Sequence, residues 1–242
     1  MRRGAIVRVV TIGLLAAAVA TAVAVLIPWL PAQDSKEAGR IDFVFWFVIA
    51  VCISVFAVVA AVIVYSVVKF RARPDDDSDG PPIHGHTGIE IAWTAIPTVL
   101  VTAIAVLSAV ALAENGKLKA DRLQVDVTAQ QFAWHFKYPQ YGGIKSNELR
   151  LVAGRQVELN LRALDVIHSF WVPEFRQKQD AVPGLVTHLA ITPTKVDKYT
   201  LVCTELCGLG HALMRAPVIV MKEGDFDSWA HSQQQGSEGT PG

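Results

Sequence analysis

The sequence contains little cysteine and carries no excess of charge. Only 3 cysteines occur among 242 residues, which is too few for a small domain held together by disulfides. The 22 basic side chains balance the 22 acidic ones, which argues against nucleic acid as a partner, because that function needs a clustered basic surface. The sequence also lacks a glycine-rich phosphate loop and a Cys-x-x-Cys-His motif, so covalent haem attachment to this chain is not indicated.

Charged residues are also absent from three long runs in the first half of the chain. The runs Val9–Leu30, Phe43–Val68 and Ile91–Ala113 contain 22, 26 and 23 residues. Each exceeds the ~20 residues that a helix needs to cross the hydrocarbon core of a bilayer. No comparable run follows residue 114. The sequence therefore predicts a membrane anchor in the lipid bilayer, joined to a soluble domain.

Basic residues flank these runs and predict the direction of each crossing. Arg2, Arg3 and Arg8 precede the first run and place the N-terminus in the cytoplasm. This run is either a cleaved signal peptide or a retained helix. Retention is favoured because the run is long for a signal core and the small-residue cleavage pattern around residues 30–32 is poor. Lys69, Arg71 and Arg73 follow the second run and belong inside, so the third run carries the chain outward.

Four segments follow from these patterns. Residues 1–41 form an N-terminal signal or extra transmembrane helix with its polar loop, and residues 42–114 form a two-helix transmembrane hairpin with the polar loop Pro74–Gly88 between its helices. Residues 115–230 form the soluble domain. Residues 231–242, which are rich in Gln, Gly and Ser, are predicted to be a disordered tail.

Alternating apolar residues predict β-strands in the soluble domain. The alternation occurs in Leu123–Val127, Val157–Leu161 and Leu189–Ile191, with Gly- and Pro-containing breaks between such segments. It also places four aromatic residues on one strand face, and either all four are buried or the first is exposed: Phe132, Trp134, Phe136 and Tyr138. Short strands at this spacing favour a Greek-key sandwich or barrel.

The stretch Cys203–Met214 concentrates soft metal ligands. Cys203, Cys207, His211 and Met214 supply two thiolates, an imidazole and a thioether within twelve residues. Sulfur together with imidazole suits copper, and a weak methionine ligand is typical of copper electron-transfer sites. Two cysteines can bridge two copper ions, and a second histidine is then needed. His168 is the candidate for that position.

Other readings of these residues remain open at this point. Two cysteines and two histidines could bind structural zinc, although this leaves Met214 without a role. A disulfide between Cys203 and Cys207 could form in an oxidising compartment. Taken alone, His168 and Met214 would each more often be core residues than metal ligands. Dinuclear copper explains all of these residues together.

The motif Cys-x-Glu-x-Cys-Gly-x-x-His-x-x-Met, preceded by Asp-Val-x-His-Ser-Phe, resembles the dinuclear copper A domain of cytochrome c oxidase subunit II. The resemblance extends from about residue 43 to residue 222. It implies a fold with a transmembrane α-helical anchor and an all-β, cupredoxin-like Greek-key barrel. It also implies that Cys203 and Cys207 bridge both coppers. One copper then takes His168 and Met214, and the other takes His211 and the backbone carbonyl of Glu205.

The resemblance implies further roles for four acidic residues. The Glu205 side chain would bind magnesium at the contact with subunit I, where a carboxylate oxygen is the hard ligand that magnesium prefers. Asp165 precedes His168 in the motif and counts as part of the cofactor site. Asp180 would order the surroundings of the metal loop. Glu90, three residues before Trp93, corresponds to a carboxylate at the cytoplasmic mouth of a proton path, whereas the residue alone reads as a helix-start carboxylate.

One departure from the family pattern concerns the donor. The family has Gln-Trp-x-Trp on an early strand, and here the stretch is Gln131-Phe132-Ala133-Trp134. Phe132 therefore takes the position where electrons enter, with Trp134 behind it in the motif. Residues 115–242 carry 14 basic and 13 acidic side chains, a balance that does not predict a strongly acidic docking face for a basic cytochrome.

The resemblance implies subunit II of a haem–copper terminal oxidase in the plasma membrane of a prokaryote. Such a chain crosses the membrane more than once, holds its copper domain on the outer face and binds subunit I and other oxidase subunits. It accepts electrons from cytochrome c and passes them to haem in subunit I, where oxygen is reduced to water. The alternatives are the small subunit of a copper A-containing nitric oxide reductase and a membrane-tethered copper-binding protein.

Overall fold

The computed structural model describes residues 3–71, 75, 80, 82 and 84–238. Residues 74, 76–79, 81 and 83 of the predicted loop Pro74–Gly88 lie outside the described residues, as do residues 239–242 of the predicted tail. Within the described residues the chain forms two compact units. The first comprises residues 1–30 and 43–109, and the second comprises residues 31–42 and 110–242.

The first unit is helical, as the three apolar runs predict. Helices α1 (Arg3–Leu26), α2 (Ala38–Lys69) and α3 (Thr87–Asn115) are each long and apolar enough to cross a membrane. Helices α1 and α2 approach closely where small residues meet: a Cβ added at Gly13 would lie 3.5 Å from the Ala61 Cβ. Close backbone approach at small residues is the usual mode of helix packing in membranes.

The second unit is an all-β domain of two five-stranded sheets. The strands of the first sheet are β1 (Leu123–Gln130), β2 (Ala133–Tyr138), β3 (Ile144–Ser146), β5 (Val157–Ala163) and β8 (Thr187–Ile191). Those of the second sheet are β4 (Leu149–Val152), β6 (His168–Trp171), β7 (Lys178–Ala181), β9 (Asp197–Cys203) and β10 (Arg215–Met221). The first sheet has the order β3-β2-β1-β5-β8, and the second has the order β4-β10-β9-β6-β7. The predicted fold class, a transmembrane anchor with a cupredoxin-like β-domain, is confirmed.

Alternation along the strands builds the core between the sheets. Strand β1 buries every second residue, and β5 pairs with it in parallel, with Leu123 opposite Val157 and Val127 opposite Leu161. Burying a side chain of this size contributes roughly 1.5–3 kcal/mol. Trp134, from β2, lies in this core with 2% of its surface exposed. The apolar residues that alternate in the sequence of β1 are therefore the residues that are buried in the core.

Two features of the second unit differ from the predicted segments. Helix α4 (Glu223–Glu238) continues through the first part of the predicted disordered tail, because Phe226 and Trp229 pack against Tyr138 and Tyr141. The loop after α1 is also more than a linker, since residues 31–42 belong to the β-domain. We call residues 31–42 the N-terminal strap.

Buried polar contacts hold the N-terminal strap in the β-domain. The Glu37 carboxylate is buried and accepts hydrogen bonds from the Thr192 backbone N–H and hydroxyl, both at 2.8 Å. The Arg176 guanidinium donates to both oxygens of Asp42, at 2.7 and 3.1 Å. The Tyr199 hydroxyl donates to Asp34 at 3.1 Å. Buried charged groups need such partners, so the strap is an integral part of the domain.

Candidate metal centre

The sulfur and imidazole ligands meet at one end of the β-domain. We call residues 203–214 the Cys loop. It begins at the last residue of β9 and ends where β10 starts, and the Cys203 N–H donates to the Met214 carbonyl at its neck. The Gly208 φ of +131° is a conformation that favours glycine, and it lets the loop turn back on itself. A short 3-10 turn, His211–Leu213, then leads to Met214.

His168 reaches the Cys loop from the neighbouring strand. It is the first residue of β6, which pairs antiparallel with β9 so that Phe170 lies opposite Cys203. The His168 side chain is fully buried, and its Nδ1 lies 3.9 Å from the Cys203 Sγ. The sheet register thus brings together two residues that are 35 positions apart in the sequence.

The six predicted ligands converge within a few ångströms. The two cysteine Sγ atoms are 3.9 Å apart, the His211 Nδ1 is 3.6 Å from the Cys207 Sγ, and the Met214 Sδ is 3.7 Å from the same sulfur. The backbone carbonyl oxygen of Glu205 lies 3.3 Å from the Cys203 Sγ. His168, Cys203 and Cys207 can all ligate one metal ion.

These distances fit metal ligation. Metal–thiolate bonds are about 2.3 Å and metal–imidazole bonds about 2.0–2.1 Å, so two sulfurs on one ion lie within ~4.6 Å, and a sulfur and a nitrogen within ~4.4 Å. The measured separations of 3.9, 3.9 and 3.6 Å satisfy these limits. Both cysteines are free, at a distance well beyond the ~2.05 Å of a disulfide. The buried Met214 thioether favours copper over zinc, because zinc sites use nitrogen, oxygen and thiolate ligands.

The Cys207 thiol is held in its neutral form by its surroundings. Burial, followed by the nearby Cys203, raises the pKa of the Cys207 thiol to about 11. A metal ion that binds here must therefore displace protons.

Asp165 fixes the orientation of His168. Its Oδ1 accepts a hydrogen bond from the His168 Nε2 at 2.9 Å, which leaves the Nδ1 lone pair directed at the sulfur cluster. Partial burial raises the pKa of Asp165, but hydrogen bonds from the Gln131 and Val166 backbone N–H groups and from His168 outweigh this and lower it to about 2. A carboxylate that stays ionised is suited to orienting a ligand histidine.

The two aromatic residues proposed for electron acceptance differ in exposure to solvent. Phe132 precedes β2 and is 41% exposed, and its ring packs on the Cys loop so closely that a Cβ at Gly210 would lie 2.5 Å from it. Trp134 is buried, with its ring centroid 6.1 Å from that of His168. The geometry selects the second of the two readings of the aromatic strand: Phe132 lies at the surface beside the Cys loop, and the other three aromatics are buried. Trp134 cannot contact a donor directly.

Phe132 lies within an exposed apolar surface. We call this surface the apolar rim, and it consists of exposed residues from four loops at the metal end of the domain: Phe132, Leu164, Val166, Ile167, Leu185, Val186, Leu206, Leu209 and Leu213. Exposed apolar patches of this kind mark interaction sites in soluble domains.

Two acidic residues with implied roles lie outside the sulfur cluster. The Glu205 side chain is exposed, although its carbonyl faces Cys203. Asp180 is exposed on β7, paired with Ser169, and its carbonyl accepts a hydrogen bond from the Thr187 hydroxyl. Among the described residues, no hydrogen bond or ion pair joins the Asp180 side chain to the Cys loop.

Glu90 lies at the start of α3 in the helical unit. Its Oε1 accepts a hydrogen bond from the His86 backbone N–H at 3.1 Å, while the His86 Nδ1 accepts one from the Ile89 N–H. This reciprocal pair caps the helix, as in a capping box. The hydrogen bonds therefore show that Glu90 caps helix α3. Its role in a proton path is a proposal.

Sequence reasoning missed one residue at the metal centre. Gln131 lies between β1 and β2 and contacts both Asp165 and Cys207. It has no periodic or ligand-type signature, and only its position beside Phe132 in the family motif could have drawn attention to it.

Two family models match the chain. The cytochrome c oxidase subunit II transmembrane domain matches residues 24–110, and the cytochrome c oxidase subunit II periplasmic domain matches residues 144–223. Cytochrome c oxidase subunit 2 of Thermostichus vulcanus is 34% identical over 258 residues, covering 85% of this chain and 78% of that protein. The corresponding subunit of Synechocystis is 33% identical over 247 residues, covering 83% and 74%.

The periplasmic domain of subunit II of cytochrome oxidase of Bradyrhizobium japonicum superposes with a TM-score of 0.47 and 25% identity, covering 49% of this chain and 98% of that one.

Proposed function

The chain belongs to the cytochrome c oxidase subunit II family, and from this we propose that it accepts electrons from a cytochrome c at a dinuclear copper centre and passes them to haem in subunit I, where oxygen is reduced to water. Subunits of this family belong to haem–copper oxidase complexes, and catalysis resides in the complex. The observation that carries the proposal is the gathering of two thiols, two imidazoles and a thioether within ligand distance of one another.

Each residue of the centre has a defined task in this proposal. Cys203, Cys207, His168, Met214, His211 and the Glu205 carbonyl would hold the two copper ions, with the two thiolates shared between them. When bound, a copper pair of this kind shares one electron, so that the change of charge is spread over both ions. The chain's contribution is rigidity: β6, β9 and Asp165 hold the ligands in place before and after transfer.

The interfaces of the domain follow from its exposed groups. The apolar rim around Phe132 is proposed as the docking site for the cytochrome c donor. The exposed Glu205 carboxylate is proposed to bind magnesium at the contact with subunit I. Asp180 is proposed to order the surroundings of the Cys loop. The support for this role is its position on β7, the strand that pairs with β6 and therefore lies beside His168.

The membrane topology supports a prokaryotic plasma membrane location with the copper domain outside. Arg3 and Arg8 lie in the first two turns of α1, Lys69 ends α2 and Arg71 follows it, which favours the cytoplasm for both of these helix ends. The N-terminal strap and the β-strands form one folded unit and must lie on one side of the membrane. Helices α2 and α3 therefore cross inward and back outward.

The proposal is tested by the copper content of the full chain purified in detergent and loaded with copper. We expect two copper ions per chain and an electron resonance signal in which one unpaired electron is shared by both ions. The magnesium ion is expected only when subunit I is present. One copper with a blue-site spectrum, or uptake of zinc alone, would contradict a dinuclear centre.

The proton-path role of Glu90 gives a second prediction. Glu90→Gln keeps a side-chain oxygen that can accept from the His86 N–H but loses the ionisable group. We expect oxygen turnover of the intact oxidase to fall roughly 10-fold, with a changed pH profile, while electron transfer from the donor to copper is retained. Steady-state oxygen consumption and stopped-flow copper reduction measure the two steps.

Glu90→Ala serves as the comparison, because it removes both the charge and the cap. If Glu90→Gln has wild-type turnover across the pH range and only Glu90→Ala is impaired, Glu90 is a helix cap alone.

A further inference from the structure

Gln131 connects three loops at the metal end of the β-domain. It follows the last residue of β1 and directly precedes Phe132. Its backbone contacts the β5–β6 loop through Asp165, and its side chain contacts the Cys loop through Cys207. It therefore contacts both Asp165, the hydrogen-bond partner of His168, and the Cys loop, which carries the other predicted ligands.

The backbone contact acts on His168. The Gln131 N–H donates to the Asp165 Oδ2 at 2.6 Å, and the Asp165 Oδ1 accepts from the His168 Nε2 at 2.9 Å. One carboxylate thus joins Gln131 to the histidine, and each of its oxygens has a fixed partner. The Val166 N–H also donates to the Oδ1, at 2.7 Å, so the Gln131 backbone is one of two groups that fix the Asp165 carboxylate and, through it, the imidazole.

The side-chain contact acts on the Cys loop. The Gln131 Nε2 donates a hydrogen bond to the backbone carbonyl of Cys207. A Cβ added at Gly208, the next residue, would lie 2.9 Å from the same nitrogen, so the amide fits closely against the turn. Because the partner is a carbonyl oxygen, only a side chain with an N–H or O–H donor can make this contact.

From these contacts we infer that Gln131 is a positioning residue, which sets the Cys207 turn at a fixed distance from His168 and from the Phe132 ring that covers it. This inference rests on the proposed function in one respect, namely that the positioned loop holds the copper ions. The geometric part, that the amide of Gln131 restrains the loop, concerns the metal-free chain and can be tested without copper.

The test compares Gln131→Met with Gln130→Met in the full chain in detergent. Methionine has a similar length and no donor. Gln130 is the adjacent control, because its Nε2 lies 3.1 Å from the His135 Nε2, away from the Cys loop. In the metal-free chain we expect amide hydrogen exchange at residues 207–211 to be about five-fold faster in Gln131→Met than in the wild type and unchanged in Gln130→Met. Exchange in the strands should be the same in all three proteins.

Copper loading then provides an independent measurement. Loss of copper to a chelator should be roughly 10-fold faster in Gln131→Met, since residues that support metal ligands typically change affinity by this factor. Gln131→Glu, which places a carboxylate oxygen against the Cys207 carbonyl, should exceed Gln131→Met in both measurements. Equal exchange at residues 207–211 in Gln131→Met and wild type would overturn the inference. Faster exchange in a chain that binds no copper would retain the positioning role and refute the proposed function.

Discussion

Replacing either Cys203 or Cys207 with serine is expected to abolish the dinuclear site and to reduce donor-driven oxygen consumption more than about 100-fold. Loss of a residue that merely supports a ligand already costs 10–100-fold in metal affinity, and a bridging thiolate is shared by both ions. The two sulfurs lie 3.9 Å apart, and the third cysteine of the sequence, Cys52, belongs to α2 in the helical unit. Copper analysis and the electron resonance spectrum of the purified oxidase measure the loss.

Met214→Leu is the matched variant for this prediction. It keeps a buried apolar side chain of similar volume and removes one weak ligand. We expect copper to be retained, with an altered reduction potential and slower electron transfer. An unchanged spectrum and potential would make Met214 a core residue, and two copper ions in Cys203→Ser would refute the bridging role.

Replacing Phe132 with alanine is expected to slow oxidation of the cytochrome donor at least about 30-fold, the effect of removing a central interface residue. Phe132 is 41% exposed and packs on the Cys loop at Gly208 and Gly210. The other exposed apolar residues of the rim lie in loops at the same end of the domain. If apolar contact holds the donor, raising the ionic strength should weaken donor oxidation only modestly, because salt screens charge pairs and leaves apolar contacts in place.

Leu118→Ala provides the control for Phe132. Leu118 is 47% exposed and lies between α3 and β1, outside the apolar rim. Its substitution should leave donor oxidation unchanged. Stopped-flow donor oxidation over a range of salt concentrations measures all three proteins. A steep loss of rate with salt, together with wild-type kinetics of Phe132→Ala, would show that the donor docks elsewhere through charges.

Periodic features of the structure could be predicted from the sequence. The uncharged runs became the three long helices, and the alternation in residues 123–127 and 157–161 became buried faces of β1 and β5. Buried apolar residues recur with the period of the helix or strand that carries them, so the type of element can be read from a single sequence. The ligand residues were also identifiable, since sulfur and imidazole at this spacing have few other uses.

Features that depend on contacts between distant segments could not be predicted. Glu37 and Thr192 are separated by 155 positions, and Arg176 and Asp42 by 134, and nothing in either local sequence indicates its partner. Likewise, alternation placed Phe132 on the same face as Trp134. The strand begins only at Ala133, so the face that alternation defines does not include Phe132.

The N-terminal strap has a consequence for the order in which the protein is built. Residues 31–42 leave the ribosome early, but their hydrogen-bond partners include Thr192, which follows β8, and Tyr199 of β9, which are made about 150 residues later. Contacts of such long range form slowly during folding. Asp34, Glu37 and Asp42 therefore lack their partners in the β-domain until α2, α3 and most of the β-domain have been synthesised. A fragment that starts after α3 lacks the strap, and in it Arg176 and Thr192 lose these hydrogen-bond partners.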